Sequence, residues 1–225
     1  MIKRVMLGRK IETKNGLDFY LYTQRKLTEE EKNSSLNIMV IGETGSGKST
    51  WLHCFLNYLQ EIQLEENERY YLFDEKGLLD EYEKKNELKF HSFSIIDKPT
   101  IFNIEPNKLF NKPIRLIDTP GFGDAYGMKN DKKIIEDIWN LFQNSDIKGI
   151  NAICFFFDAQ GRAKDWFVRA IISLFNNEIK NNIVFIFTFA CDFNDIQCLK
   201  GIKYKDGPFD KMFEDINKIP YFAFV

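Results

Sequence analysis

A chain of 225 residues with 44% apolar side chains is sized for one α/β domain with extensions rather than two independent domains, and it can fill a core. Its net charge of −2 argues against a nucleic-acid-binding surface and against a polybasic membrane patch. No apolar run approaches the roughly 18 residues that a transmembrane segment needs, and residues 1–8 are too short and too quickly charged for a secretory leader. In chain order, residues 9–13 and 17–22 are strand-like runs on either side of Lys14-Asn15-Gly16. Asn-Gly between such runs is the strongest short hairpin signal, and a hairpin packed on a sheet edge is the expected role. Residues 28–35 read as a polar linker with room for one helical turn, which sets residues 1–35 apart as an extension ahead of a main domain at 36–225.

The next stretch, Leu36-Asn37-Ile38-Met39-Val40-Ile41, is an apolar run of strand length. It leads into Gly42-Glu43-Thr44-Gly45-Ser46-Gly47-Lys48-Ser49, which matches the phosphate-binding loop G-x-x-x-x-G-K-[ST] without a mismatch. Behind it Leu52, Phe55, Leu56 and Leu59 recur at helical spacing on one face. Strand, glycine-rich loop and helix start is the arrangement in which backbone N–H groups and the helix dipole meet a polyphosphate. The glycines let the backbone approach phosphate oxygens, Lys48 reaches toward the β/γ-phosphates, and the Ser49 hydroxyl is the Mg²⁺ ligand of such loops. The chain is therefore expected to bind a nucleoside triphosphate.

Residues 61–89 are charged and irregular, mostly helical in spacing, with Arg69 expected as a solvated helix charge. Strand-like segments follow at 89–96 and 100–104. Ile114-Arg115-Leu116-Ile117 then delivers Asp118 to a strand's carboxyl end, where open α/β folds bind ligands, and Asp118-Thr119-Pro120-Gly121 follows. Some 70 residues beyond the loop, Asp118 is expected to hold Mg²⁺, mostly through water, and the Gly121 N–H to sense a γ-phosphate. The glycine-rich run 122–127 comes next. An amphipathic helix through Ile134, Ile135, Ile138, Leu141 and Phe142 follows, then a buried strand at 150–157, a helix at 166–175 and a buried strand at 182–190 ending at Cys191-Asp192. Residues 219–225 look like a last strand, and the chain stops there before any closing helix, as a shortened or split gene product would. Alternation of strands and helices implies a mostly parallel sheet with helices on both faces, a three-layer α/β fold. The cysteines, Cys54, Cys154, Cys191 and Cys198, lie in apolar or helical segments and read as buried free thiols of a reducing, cytoplasmic compartment. No zinc site is expected, since His53 and His91 are remote from any Cys-x-x-Cys.

Gly42 to Thr50, Asp118 to Asp124 with its run Asp-Thr-Pro-Gly-Phe-Gly-Asp, and the strand end Thr188-Phe189-Ala190-Cys191-Asp192 together resemble the septin-like GTPases. That group includes septins, the chloroplast-import Toc receptors and AIG-type immunity-associated GTPases. Gly161-Arg162 is similar to the start of the extra Gly-Arg box of AIG-type proteins, the nearest likeness. The resemblance spans roughly residues 36–225. It implies a Ras-like G domain that binds GTP and GDP with Mg²⁺ through Glu43, Thr44, Gly45, Ser46, Gly47, Lys48, Ser49 and Thr50. Asp118 and Gly121 would respond to the γ-phosphate, and Lys48, Asp118 and Gly121 would carry a slow hydrolysis. It also implies a nucleotide-dependent homodimer, a protein effector, and attachment to a membrane only through a region beyond Val225.

The departures are specific. The base-reading motif of such proteins is [NT]-K-x-D; here Asp192 fits, but Phe189 and Ala190 replace the first two residues, so the alkyl stem that stacks on the base is missing and Phe189 is a substitute candidate. The switch threonine that reaches Mg²⁺ is either Thr100, which has the right residue type, or Ser94 takes its place. Phe122 stands where Ras-type proteins carry the water-orienting Gln. Arg162 is either a surface salt-bridging residue or part of a dimer face. Two further readings stay open: an ATP-dependent enzyme on the same loop, against which the lack of an Arg-rich lid counts, and a pseudo-GTPase scaffold, against which intact Lys48, Ser49 and Asp118 count.

Overall fold

The computed structural model describes residues 8–74, 97–123, 128–162, 164–175, 177–192, 196–205, 209–213 and 215–224. The expected strand at 89–96, with Ser94, and most of the run 122–127 lie outside the described residues. The strands are β1 (Gly8–Lys14), β2 (Leu17–Tyr22), β3 (Leu36–Gly42), β4 (Glu68–Tyr71), β5 (Thr100–Ile104), β6 (Ile114–Asp118), β7 (Ala152–Asp158), β8 (Ile183–Thr188) and β9 (Tyr221–Ala223). The helices are α1 (Glu29–Ser34), α2 (Lys48–Leu59), α3 (Met128–Asn144), α4 (Asp165–Ile172) and α5 (Gln197–Ile202), with short 3-10 turns at Asn177–Asn182 and Ile216–Lys218. Six strands form one sheet in the order β5-β6-β3-β7-β8-β9. The β3–β7, β7–β8 and β8–β9 pairs are parallel, as the strand–helix alternation predicts.

Two compact units are distinguished along the chain. One comprises Met1–Ser35, Ser49–His91 and Phe102–Arg115. In it the hairpin forms, with Asn15 and Gly16 both at positive φ (52° and 79°) as its tight turn requires. The hairpin is extended by a third strand: β2 pairs in parallel with β4, giving a three-stranded sheet β1-β2-β4. That makes the 61–74 segment partly strand where helix was expected. The reason lies in Asn57 of α2, whose side chain takes both backbone groups of Tyr70, donating to its carbonyl at 2.7 Å and accepting from its N–H at 2.9 Å. His53 Nδ1 accepts from Leu72 N–H at 3.1 Å in the same way. Arg69 is accordingly not a solvated helix charge; its guanidinium donates to the carbonyls of Leu64, Glu66 and Glu68 at 2.7–2.9 Å. Helix α1 starts on a capping box in which Thr28 and Glu31 exchange side-chain-to-backbone hydrogen bonds.

The other unit comprises Leu36–Lys48, Ser92–Ile101 and Leu116–Val225. Its core is aromatic: Phe157 packs edge-on to Phe185 at 5.5 Å and to Phe209 at 6.2 Å, and Phe185 meets Phe213 at 6.2 Å. Strand β7 is buried along Ile153 to Phe157, as a central parallel strand should be. Asn37 and Asn151 lock the starts of β3 and β7, the Asn151 side chain accepting from Asn37 N–H at 2.8 Å and the Asn37 carbonyl from Asn151 N–H at 2.9 Å. The expectation of four buried thiols is corrected in part. Cys154 and Cys198 are buried, but Cys54 and Cys191 are exposed. Cys54 falls off the Leu52, Leu56 and Leu59 face of α2, and Cys191 lies in the loop after β8. Burial pushes the Cys154 and Cys198 thiols up to about 12, so neither is a thiolate near neutrality.

Candidate functional site

Strand β3 ends at Gly42, and the chain turns through Glu43 to Gly47 into α2 at Lys48. Gly45 and Gly47 have φ of 78° and 81°, which L side chains resist. A Cβ on Gly42 would stand 2.7 Å from the Phe156 carbonyl oxygen, so this position admits only glycine while β3 and β7 pair. The loop is also held from β8: Thr188 Oγ1 donates to the Ser46 carbonyl at 2.8 Å. Lys48 is buried, and its Nζ donates to the carbonyls of Gly42 and Glu43 at 3.1 and 2.8 Å. Burial lowers its pKa to about 8, against the opposing pull of the Asp118 and Glu43 carboxylates. Thr44 Oγ1 and Ser46 Oγ are buried without a hydrogen-bond partner. Ser49 and Thr50 occupy the first turn of α2, half-buried and exposed respectively.

Asp118 ends β6 and is 2% exposed. The segment after it is clasped to the phosphate loop. Phe122 N–H donates to the Gly42 carbonyl at 3.1 Å and Thr44 N–H to the Phe122 carbonyl at 3.0 Å, while Thr119 Oγ1 donates to the Val40 carbonyl at 2.9 Å. Gly121 is pressed so closely on Thr44 that a Cβ would lie 2.7 Å from the Thr44 nitrogen. Phe122 is fully buried, edge-on to Trp166 at 5.8 Å. Thr100 opens β5, and its hydroxyl donates to the Lys98 carbonyl at 3.1 Å. At the end of β8, Phe189 has φ of 57° and an exposed ring, and Ala190 N–H donates to the Phe224 carbonyl at 2.9 Å. Asp192 is exposed.

The structure thus brings Glu43 to Lys48, Asp118 and Gly121 together within one unit. The family model described as Septin matches residues 32–145, just over half the chain, and includes the loop and the Asp118 segment. The chain belongs to the septin family. It is with that family a G-domain protein of the P-loop, GTP-binding type. The match names septins rather than the AIG-type group, and it ends before the Thr188 to Asp192 strand end. Among solved structures, Toc33 from Arabidopsis thaliana, a dimerization-deficient mutant, aligns with 17% identity, 87% of this chain and 72% of that one covered, at a TM-score of 0.46. No curated protein sequence matches. Among the described residues of this septin-family chain, no helix is long and apolar enough to cross a membrane, and no cluster of His, Cys, Asp and Glu forms a preassembled metal site.

Three contacts around the loop and the segment after β6 are not foreseeable from the sequence. Lys164 Nζ pairs with Glu43 Oε2 at 2.7 Å, Asp131 Oδ1 accepts from Gly123 N–H at 2.8 Å, and Thr188 bonds Ser46. Each joins residues far enough apart in the chain, or of a common enough type, that only the fold reveals it.

Proposed function

We propose that this chain is a GTP-controlled switch or assembly module with slow Mg²⁺-dependent hydrolysis. The observation that carries the reading is the buried Lys48 ammonium in a loop whose glycines are set at positive φ and whose Thr44 and Ser46 hydroxyls are buried without partners. A buried cation and unsatisfied polar atoms are costly, and an entering polyphosphate relieves both. In this reading residues 43–50 hold the phosphates, Asp118 and Gly121 respond to the γ-phosphate, and Asp192 reads guanine. Ser49, Asp118 and Thr100 are the proposed Mg²⁺ ligands; the hydroxyl and carboxylate donor set is the kind Mg²⁺ takes beside phosphates, and the ion when bound neutralises the β- and γ-oxygens. The exposed Phe189 ring replaces the missing alkyl stem beneath the base. Slow turnover follows from Phe122, which is buried against Trp166 and has no polar group with which to orient a water. The Gly161-Arg162 box is assigned to an AIG-like face between two copies, and the working compartment is the cytoplasm, with a protein effector reading the nucleotide state.

Displacement of a fluorescent GTP analogue by GTP, GDP and ATP tests the reading. GTP and GDP are expected to compete at least about tenfold better than ATP. Equal competition by ATP would favour an ATP-dependent protein, and failure of all three would leave a nucleotide-free scaffold.

A further inference from the structure

Glu43 collects two ammonium groups. Lys48 Nζ bonds its carbonyl at 2.8 Å, and Lys164 Nζ bonds its carboxylate at 2.7 Å. The first is buried and fixed; the second is half exposed, on a flexible stem at the start of α4. Lys164 Nζ also stands 4.0 Å from where a Cβ on Gly123 would be, next to the segment clasped to the loop. Among the described residues, the neighbouring acids Asp165 and Asp131 are otherwise engaged: Asp165 pairs with Arg169 at 2.8 Å, and Asp131 takes the Gly123 N–H. The Phe122 side chain has no polar atom to offer that corner, and its backbone N–H and carbonyl bond Gly42 and Thr44. A carboxylate at the second position of a phosphate loop repels an incoming polyphosphate, and the repulsion grows with each phosphate added. An ammonium has three donors, of which the described contacts spend one on Glu43, so it can bridge the carboxylate and a terminal phosphate or leave one for the other.

We infer that Lys164 is a second cation of the phosphate site, one that discriminates a nucleoside triphosphate from a diphosphate by turning from Glu43 toward the terminal phosphate. The inference rests on the nucleotide-binding reading above. It makes Lys164 a specificity residue acting in cis, separate from any charge a second copy brings.

The test is a pair of titrations of the full chain with Mg²⁺ present, one with fluorescent GDP and one with a fluorescent non-hydrolysable GTP analogue, at two salt concentrations. Lys164→Gln is expected to leave GDP affinity within about twofold and to weaken the GTP analogue about tenfold, with a smaller salt dependence for the analogue. Lys164→Arg should restore most of the preference. Glu43→Gln, which releases Lys164, should tighten the analogue more than GDP. Equal effects on both nucleotides, or none, in Lys164→Gln would overturn the inference while the GTP-binding reading stands. Wild-type protein that binds neither nucleotide would take down both. Should Lys164→Gln not fold, Glu43→Gln decides, and an unchanged analogue affinity there counts against Lys164.

Discussion

Lys48 is held where a cation is least comfortable, and its proton reports the cost. Its folded pKa of about 8 lies below the ordinary 10.5. Below pH 8 the group is charged in both folded and unfolded chains, and the folded state bears the whole burial penalty, about 3 kcal/mol at 1.36 kcal/mol per pKa unit. Between pH 8 and 10.5 the folded group has lost its proton while the unfolded one keeps it, so the penalty fades and this group's contribution to stability rises with pH. Lys48→Met should therefore give a nucleotide-free protein that is about 1–3 kcal/mol more stable at pH 7, yet one that no longer binds a triphosphate. Thermal unfolding with and without GTP analogue checks both halves; wild-type binding should also weaken above pH 8, where the ammonium is lost. At the other end of the site, Asp192→Asn should weaken guanosine nucleotides by about 1–3 kcal/mol and favour xanthosine nucleotides, because an amide can donate to the extra carbonyl while a carboxylate only accepts. Unchanged GTP affinity in that variant would mean that Asp192 does not read the base.

At the level of elements, the informative contact is the bridge between Glu43 and Phe122, which ties the phosphate loop to the segment after β6. Gly121→Ala would drive a Cβ into the Thr44 backbone and prise that bridge apart. A loss of about 1–3 kcal/mol in stability is expected, with preference for a GTP analogue over GDP reduced; unfolding and titration measure the two. The parts of this arrangement legible in the sequence are those written locally. The loop is a contiguous motif, Asp118 follows an apolar run of strand length, and Asn15-Gly16 names its own turn. What the sequence hid is non-local. Strand β4 carries Glu68 and Arg69 and has no alternation to betray it; it is a strand because Asn57 and the hairpin supply its hydrogen bonds. Lys164 meets Glu43 across 121 residues, and nothing in either neighbourhood points to the other. The base side was only half legible for a different reason: Phe189 and Ala190 depart from the motif, and the left-handed φ and exposed ring of Phe189 come to light only in the fold.

On the scale of the whole molecule, turnover is expected to depend on how many copies meet. Within one chain the residue after Gly121 is a buried phenylalanine, so nothing at that position orients the attacking water. Positive charge brought by a second copy can stabilise the γ-phosphoryl transition state instead, and such charge delivered in trans is worth about 10³–10⁵ in rate where it is known. Arg162 suits that part. Its side chain is exposed, and it follows Gly161, whose N–H caps the Asp158 carbonyl at 3.1 Å at the carboxyl end of β7. The ligand-binding edge of an open α/β sheet is that end, so two copies facing each other there would each present an arginine toward the other's nucleotide. The specific rate of phosphate release should then rise with protein concentration across about a hundredfold dilution series, and Arg162→Ala should flatten the rise without weakening GTP binding by more than about twofold. Light scattering should register dimers with a non-hydrolysable GTP analogue and fewer with GDP. A rate per molecule that stays constant on dilution, from a particle that remains monomeric with either nucleotide, would remove Arg162 from catalysis. A fast monomer would place the water-orienting group within the chain, with Lys164 the first residue to substitute.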